Sequence, residues 1–153
     1  MPLPEELDLL AKRNKLRELI EESSQQPTTQ GINHVAVFAK DLQATGLFFK
    51  EVLGMPIVDI TANRDVPKST HMNINIGSGM MLSFFDFPHV PRLQRRSPEG
   101  VGGIMHVAIS ISAQELSTIK LRLYQHKVSY QELEGSLYFK DPNGLGIELL
   151  PIQ

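Results

Sequence analysis

The sequence of 153 residues contains no cysteine, which excludes disulfide bonds and metal sites built from thiolates. It also has no apolar run near the roughly eighteen residues that a membrane-spanning helix needs, so we expect no membrane partner. The formal net charge is only −2, which gives no general attraction to nucleic acid. The N-terminal residues lack the charged-then-apolar pattern of a secretory signal peptide, which favours a cytoplasmic location. These absences leave one domain of ordinary size.

A short strand-like stretch occurs twice in the chain. Residues 32–38 read INHVAVF, and residues 104–110 read IMHVAIS. Because side chains alternate between the two faces of a strand, His34 and Phe38 share one face, and His106 occupies the same place in the second copy. A strand that is repeated with its histidine predicts a duplicated module, in which the two histidines could meet across a pseudo-twofold axis.

The two copies continue with the same order of elements. Helical spacing of apolar residues follows each strand, at Leu42, Leu47, Phe48, Val52 and Leu53 and at Leu116, Ile119, Leu121 and Leu123. Further strands are predicted at residues 56–61, 72–76 and 80–87 in the first copy, and at 128–132, 137–140 and 145–150 in the second. The last two strands of each copy are joined by a turn that contains glycine.

Counting four residues from the turn glycines identifies Ser83 and Glu148 as equivalent positions. The candidate site is therefore His34, His106 and Glu148, with Ser83 in the fourth place. Two imidazoles and one carboxylate form the ligand set of non-haem Fe(II) oxygenases and also of catalytic zinc sites. Each residue alone is better explained by packing or exposure, but all three at matching positions of a repeat predict a site for one divalent metal ion. The donor atoms do not separate Fe²⁺ from Mn²⁺, Ni²⁺ or Zn²⁺.

Residues 1–30 are predicted to form a helical arm and a linker, followed by the main domain over residues 31–153. Pro4 favours a helix start, and an apolar stripe follows within residues 4–22, formed by Leu9, Leu16, Leu19 and Ile20. This stripe needs cover from the domain or from a partner chain. The connection between the modules carries Arg92, Arg95 and Arg96; these could hold an acidic substrate group, but a solvated loop is the preferred interpretation.

From residue 31 to residue 151 the chain resembles the vicinal-oxygen-chelate superfamily, which includes glyoxalase I, fosfomycin and bleomycin resistance proteins and extradiol dioxygenases. The motifs that carry the resemblance are HVAV at 34–37, FFKEVLG at 48–54, HVA at 106–108, DPNG at 141–144 and IEL at 147–149. The resemblance implies an α+β fold of two paired βαβββ modules, which form an open U-shaped mixed sheet around a metal cavity, here with an extra N-terminal helix. It also implies His34, His106 and Glu148 as metal ligands and a homodimer.

Ser83 departs from the pattern of glyoxalase I, whose members carry at this place a glutamate that is both ligand and base. A serine hydroxyl is not a competent base near neutral pH without a partner that takes its proton. Bleomycin-binding members generally lack the metal ligands. We therefore expect a dioxygenase-type oxidoreductase with Fe²⁺ favoured, which acts on a small substrate such as an aromatic diol. A metal-assisted lyase, isomerase or thiol transferase is the alternative, and a metal-free binding protein is a third hypothesis.

Two further residues are predicted to be catalytic and five to bind substrate. His71 is a candidate acid–base group, and Tyr138 resembles the tyrosine that extradiol enzymes carry on the strand before the glutamate. If the face of the first sheet that carries His34 lines the cavity, it would bring five side chains to the substrate. These are Phe38, Asn73, Met81, Ser83 and Phe85.

Overall fold

The computed structural model describes residues 1–20, 26–91 and 99–152. The chain divides into two compact units, Met1–Gly31 and Ile32–Gln153. The end of the predicted N-terminal helix, the start of the linker and the three arginines between the modules lie outside the described residues. Within those residues, no helix has the length and apolar character required to span a membrane.

The first unit contains one helix, α1 (Pro4–Arg17). Proline is well tolerated in the first turn of a helix because that turn leaves its N–H groups without intrahelical partners. The Glu6 carboxylate accepts a hydrogen bond from the backbone N–H of Leu3 at 2.8 Å. The helix is shorter than predicted, and the last two residues of the expected stripe, Leu19 and Ile20, lie beyond it and are exposed.

The second unit contains two copies of one order of elements. The first copy comprises β1 (His34–Phe38), α2 (Leu42–Leu47) with a π-helical continuation (Phe48–Val52), β2 (Ile57–Ala62), β3 (Thr70–Gly77) and β4 (Met80–Phe85). The second comprises β5 (Val107–Ser112), α3 (Ala113–Gln125), β6 (Tyr130–Leu133), β7 (Ser136–Lys140) and β8 (Gly146–Ile152). Each copy is a βαβββ module, so the predicted duplication is confirmed.

Each module forms its own four-stranded mixed sheet. The strand orders are β1-β4-β3-β2 and β5-β8-β7-β6. In both sheets the first strand of the module pairs in parallel with its last strand, while the remaining pairs are antiparallel. The two open sheets with their helices confirm the predicted α+β fold of paired βαβββ modules.

One hydrophobic core contains residues from both modules. Phe49 of the π-helical turn packs on Phe84 of β4 with ring centroids 5.3 Å apart, and Phe48 lies 6.1 Å from Phe139 of β7. Each fully buried side chain of this size contributes about 1.5–3 kcal/mol. Leu121, predicted on the apolar face of its helix, is 57% exposed, because two residues along a helix turn a side chain to the opposite side.

The turn between β7 and β8 also joins the modules. The buried carboxylate of Asp141 accepts hydrogen bonds from the backbone N–H groups of Asn143 and Leu145, both at 2.8 Å. The Asn143 side chain then reaches the first module, where it donates to Thr45 Oγ1 at 3.1 Å and accepts from the backbone N–H of Lys40 at 2.9 Å. These bonds fix the turn to the start of α2.

Candidate metal centre

His106 and Glu148 form the centre of the candidate site. His106 directly precedes β5, and Glu148 lies on the neighbouring strand β8. The Nε2 atom of His106 is 3.0 Å from Oε1 of Glu148, whose side chain is 11% exposed. Two donors at right angles on one ion, each about 2.1 Å from it, would be about 3.0 Å apart. The chemistry and the separation of the pair therefore fit two ligands of one divalent metal.

A glycine allows this close approach. An added Cβ at Gly146 would lie 2.6 Å from the carbonyl oxygen of Met105 and 3.2 Å from the Cβ of His106. Any larger residue would therefore move the start of β5 away from β8. The short contact between His106 and Glu148 depends on this absence of a side chain.

Tyr138 lies beside the pair on β7, directly opposite Glu148. Its ring meets the His106 ring nearly at a right angle, with centroids 5.6 Å apart. Desolvation is the main cause that raises the pKa of Tyr138, followed by its hydrogen bond to the Glu148 carboxylate and the charge of that group. The phenol therefore stays protonated at neutral pH and can donate a hydrogen bond.

Ser83 occupies in the first sheet the place that Glu148 has in the second. Ser83 on β4 pairs with Asn73 of β3, just as Glu148 on β8 pairs with Tyr138 of β7. The buried Ser83 hydroxyl donates to Oδ1 of Asn73 at 2.6 Å. The register thus agrees with the equivalence of Ser83 and Glu148 expected from the sequence, and it also makes Asn73 equivalent to Tyr138.

His34 lies apart from the other two predicted ligands. It is the first residue of β1, on the face of the sheet that carries Ser83, and its exposed ring has Nδ1 2.7 Å from Oδ1 of Asn33. Among residues 1–20, 26–91 and 99–152, no group of three His, Asp or Glu side chains is able to hold one ion. One copy of the chain thus brings His106 and Glu148 together without His34.

Two of the predicted substrate residues, Phe38 and Phe85, belong to an aromatic cluster with Phe87 and His71. His71 stacks on Phe85 with centroids 4.3 Å apart, and Phe85 stacks on Phe87 at 5.4 Å. Phe38 meets Phe87 edge-on at 5.8 Å, and the half-buried Met81 pairs with the start of β1. His71 lies on a different sheet from the His–Glu pair, and its buried Nε2 atom has no hydrogen-bond partner among the described residues.

A cavity of about 570 Å³ adjoins His106 of the pair, and several of its lining residues were not among the predicted site residues. Besides His106 and Tyr138, it is lined by Ser129, Gln131 and Lys140. Lys140 was predictable from the sequence, because side chains alternate along β7 and Lys140, two residues from Tyr138, therefore shares its face.

The chain matches the family model of the Glyoxalase/Bleomycin resistance protein/Dioxygenase superfamily over residues 31–149. It is 32% identical over 129 residues to "Putative ring-cleaving dioxygenase MhqE" of Bacillus subtilis (strain 168). That alignment covers 80% of this chain and 41% of the relative, so the chain spans about two fifths of the length of MhqE.

Solved structures share the fold. The glyoxylase/bleomycin resistance protein/dioxygenase domain from Frankia sp. EAN1pec has a TM-score of 0.69 and 16% identity, with 82% of this chain and 100% of that chain covered. The fosfomycin resistance protein FosX from Listeria monocytogenes, complexed with Mn(II) and sulfate, has a TM-score of 0.62 and 19% identity, with 82% and 95% covered. With two βαβββ modules and a family match across both of them, the chain belongs to the glyoxalase/bleomycin resistance protein/dioxygenase superfamily.

Proposed function

We propose that the protein is a metal-dependent enzyme of dioxygenase type that acts on a small aromatic diol. The observation that carries this proposal is the His106–Glu148 pair, 3.0 Å apart, with Tyr138 directly opposite Glu148 on the neighbouring strand. Imidazole and carboxylate are the donors of non-haem Fe(II) oxygenases, which favours Fe²⁺ as the ion. The name of the relative MhqE supports the same class of reaction.

The third ligand would come from a second copy of the chain. His34 is exposed, and the faces that carry the proposed ligands also carry exposed apolar side chains, Phe38 at 60% on the first sheet and Leu150 at 42% on the second. Covering such side chains is favourable in water. A homodimer in which the first sheet of one copy faces the second sheet of the other would cover them and complete the ligand set.

Each side chain has its own part in the proposed reaction. A divalent ion, when bound, would supply Lewis-acid and redox chemistry to a chelated diol and O₂. The Tyr138 hydroxyl has one proton, and with substrate bound it would donate it to a substrate oxygen instead of the Glu148 carboxylate and so hold that oxygen beside Glu148. Phe38 and Phe85 would provide aromatic surface for the substrate ring, while the short side chain of Ser83 leaves room for substrate on the opposite wall.

The direct test combines metal analysis with an assay for oxygen. Protein purified without chelator should contain one divalent ion per chain and consume O₂ with a panel of catechols. His106→Ala and Glu148→Gln should each lose the stoichiometric metal, because only one nitrogen or oxygen donor of the pair is then left. Exposed His126, at the end of α3, offers a matched control, and His126→Ala should keep its metal.

Each alternative has its own outcome in these assays. Metal binding without oxygen uptake, together with formation of a thiol adduct, would replace the dioxygenase by a transferase. Native-like metal content in His106→Ala would refute the site, and wild-type protein without metal would support a metal-free binding protein.

Mixing two inactive variants tests whether the site is shared between copies. His34→Ala and His106→Ala dimers would each lack a complete site, whereas a mixed dimer would contain one intact site of its two. After random exchange of equal amounts, about half of the dimers are mixed, and two-fold symmetry gives each of them one intact site of two. Mixing should therefore restore about a quarter of the wild-type metal content and turnover. If mixing restores nothing although subunit exchange is verified by mass spectrometry, the ligands do not come from two copies.

A further inference from the structure

Lys140 lies in the same row of the second sheet as His106. It pairs across β7 and β8 with Gly146, and Gly146 lies directly beside His106. The residue between them, Gly146, contributes no side chain to the row, although the carbonyl oxygen of Met105 lies 2.6 Å from where its Cβ would be. Two strand spacings separate the ends of the row by about 10 Å, a distance that a substituted aromatic ring can span.

Among the described residues, Lys140 has no acidic partner. None of the ten described residues that line its cavity is Asp or Glu. In the part of the chain that the structure describes, the ion pairs join other residues, and none includes Lys140. The Glu148 carboxylate already pairs with His106, with Nε2 and Oε1 3.0 Å apart. A cation in this position has the capacity to bind an external anion.

A neighbouring cavity of about 660 Å³ is also lined by a positively charged side chain. This cavity shares Ser129 and Tyr130 with the first and is lined by a second lysine, Lys127, and again by no acid. The Ser129 hydroxyl and the Gln131 amide on the same side are further hydrogen-bond donors that suit an oxyanion.

We propose that Lys140 binds an anionic substituent of the substrate, while the diol oxygens of the same molecule face His106 and Glu148. The inference rests on the proposed function and narrows its substrate class to aromatic diols that carry a carboxylate. Lys140 is exposed, and an ammonium group that donates to a carboxylate forms a charge-assisted hydrogen bond, which is stronger than a neutral one. Lys140 is thus a specificity-determining residue.

Binding measurements test this residue without any turnover. Calorimetry with the Zn²⁺-loaded protein would compare 3,4-dihydroxybenzoate with catechol, which has the same diol and no carboxylate. We expect about tenfold tighter binding of the carboxylated probe, as one charge-assisted hydrogen bond provides. In Lys140→Met the ratio of the two affinities should fall close to one, whereas Lys140→Arg should keep most of it.

Lys50 provides the control, since it is exposed on the π-helical turn and lines neither cavity. Lys50→Met should keep the wild-type ratio. Equal affinities in the wild type, including no binding of either probe, would overturn the role of Lys140, as would an unchanged ratio in Lys140→Met.

Oxygen uptake by the Fe²⁺-loaded protein separates this inference from the proposed function. A Lys140-dependent binding ratio without oxygen uptake would refute the dioxygenase and leave Lys140 as an anion-binding residue. Oxygen uptake with catechol, together with equal affinities for 3,4-dihydroxybenzoate and catechol, would refute only the role of Lys140.

Discussion

Residue 83 is the position at which the two modules differ most in chemistry. Glu148 presents a carboxylate beside a histidine, whereas Ser83 presents a short hydroxyl that already donates to Asn73 at 2.6 Å. A serine is too short to reach an ion that a glutamate at the same place would contact. The first module therefore leaves open a position that a fully symmetric pair of modules would fill.

Replacing Ser83 by glutamate should close that position. We expect Ser83→Glu to bind divalent metal about tenfold more tightly, because an added carboxylate brings a further hard, charged donor. Oxygen uptake should decrease, since less room is left for substrate. Competition with a chromophoric chelator measures the affinity, with Ser83→Ala as the control. Unchanged affinity in Ser83→Glu would mean that residue 83 does not face the centre.

Tyr138 gives a second prediction at this scale. Its raised pKa keeps the phenol protonated at neutral pH, so its contribution to turnover is the donated hydrogen bond. We expect Tyr138→Phe to retain its metal but to lose about a hundred- to ten-thousandfold in kcat, the usual contribution of one positioned proton donor. Equal kcat values in the wild type and Tyr138→Phe would leave the hydroxyl with a structural role only.

Among the elements, the turn between β7 and β8 has the largest effect on how the modules join. Its hydrogen bonds run from Asp141 through Asn143 to Thr45 and Lys40 in the first module. Asn143→Ala would leave the Thr45 hydroxyl and the Lys40 N–H without this partner. The loss should cost about 1–3 kcal/mol in the free energy of unfolding, measured with urea.

Asp141 makes the stability of this turn depend on pH. Burial raises the pKa of its carboxyl above the usual 3.8, although the N–H groups of Asn143 and its neighbours oppose the shift. Between 3.8 and the raised value the native protein binds a proton that the unfolded chain has released. The contribution of Asp141 to stability is therefore present below the unfolded pKa and decreases as pH rises through the window.

In Asp141→Asn this ionisation is absent, so the free energy of unfolding should decrease less steeply with pH over the same window. Urea titrations at several pH values measure the slope. The exposed Asp65, whose carboxylate pairs with Arg64 among the residues that the structure describes, supplies the control, and Asp65→Asn should keep the wild-type slope. Identical slopes in the wild type and Asp141→Asn would contradict the raised pKa.

For the whole molecule, the N-terminal unit gives a separate prediction. Both modules lie after residue 31, and no residue of α1 is buried. Removal of residues 1–30 should therefore leave a folded, metal-binding protein by circular dichroism and metal analysis. Its association state, measured by light scattering, should change, because exposed leucines such as Leu9 and Leu16 are removed. An unfolded product would show that α1 stabilises the domain.

Local sequence determined the modules and their internal register. Counting four residues from the turn glycines correctly predicted that Ser83 corresponds to Glu148, and the period of two along a strand then makes Asn73 correspond to Tyr138. The repeated histidine strand and the DPNG turn were enough to recognise two βαβββ modules and the family. These features are local, and short stretches of chain carry them completely.

Tertiary structure decided how the modules are placed. Residues far apart in the chain join the two modules. Phe48 packs on Phe139, and Asn143 forms hydrogen bonds to the first module. The pairing of β5 with β8 inside the second module brings His106 to Glu148, whereas the way the two modules are joined leaves His34 apart. The uncompensated charge of Lys140 likewise depends on which side chains surround it. Periodicity assigns a residue to a face, but it contains no information about what that face meets, because that depends on contacts between distant segments.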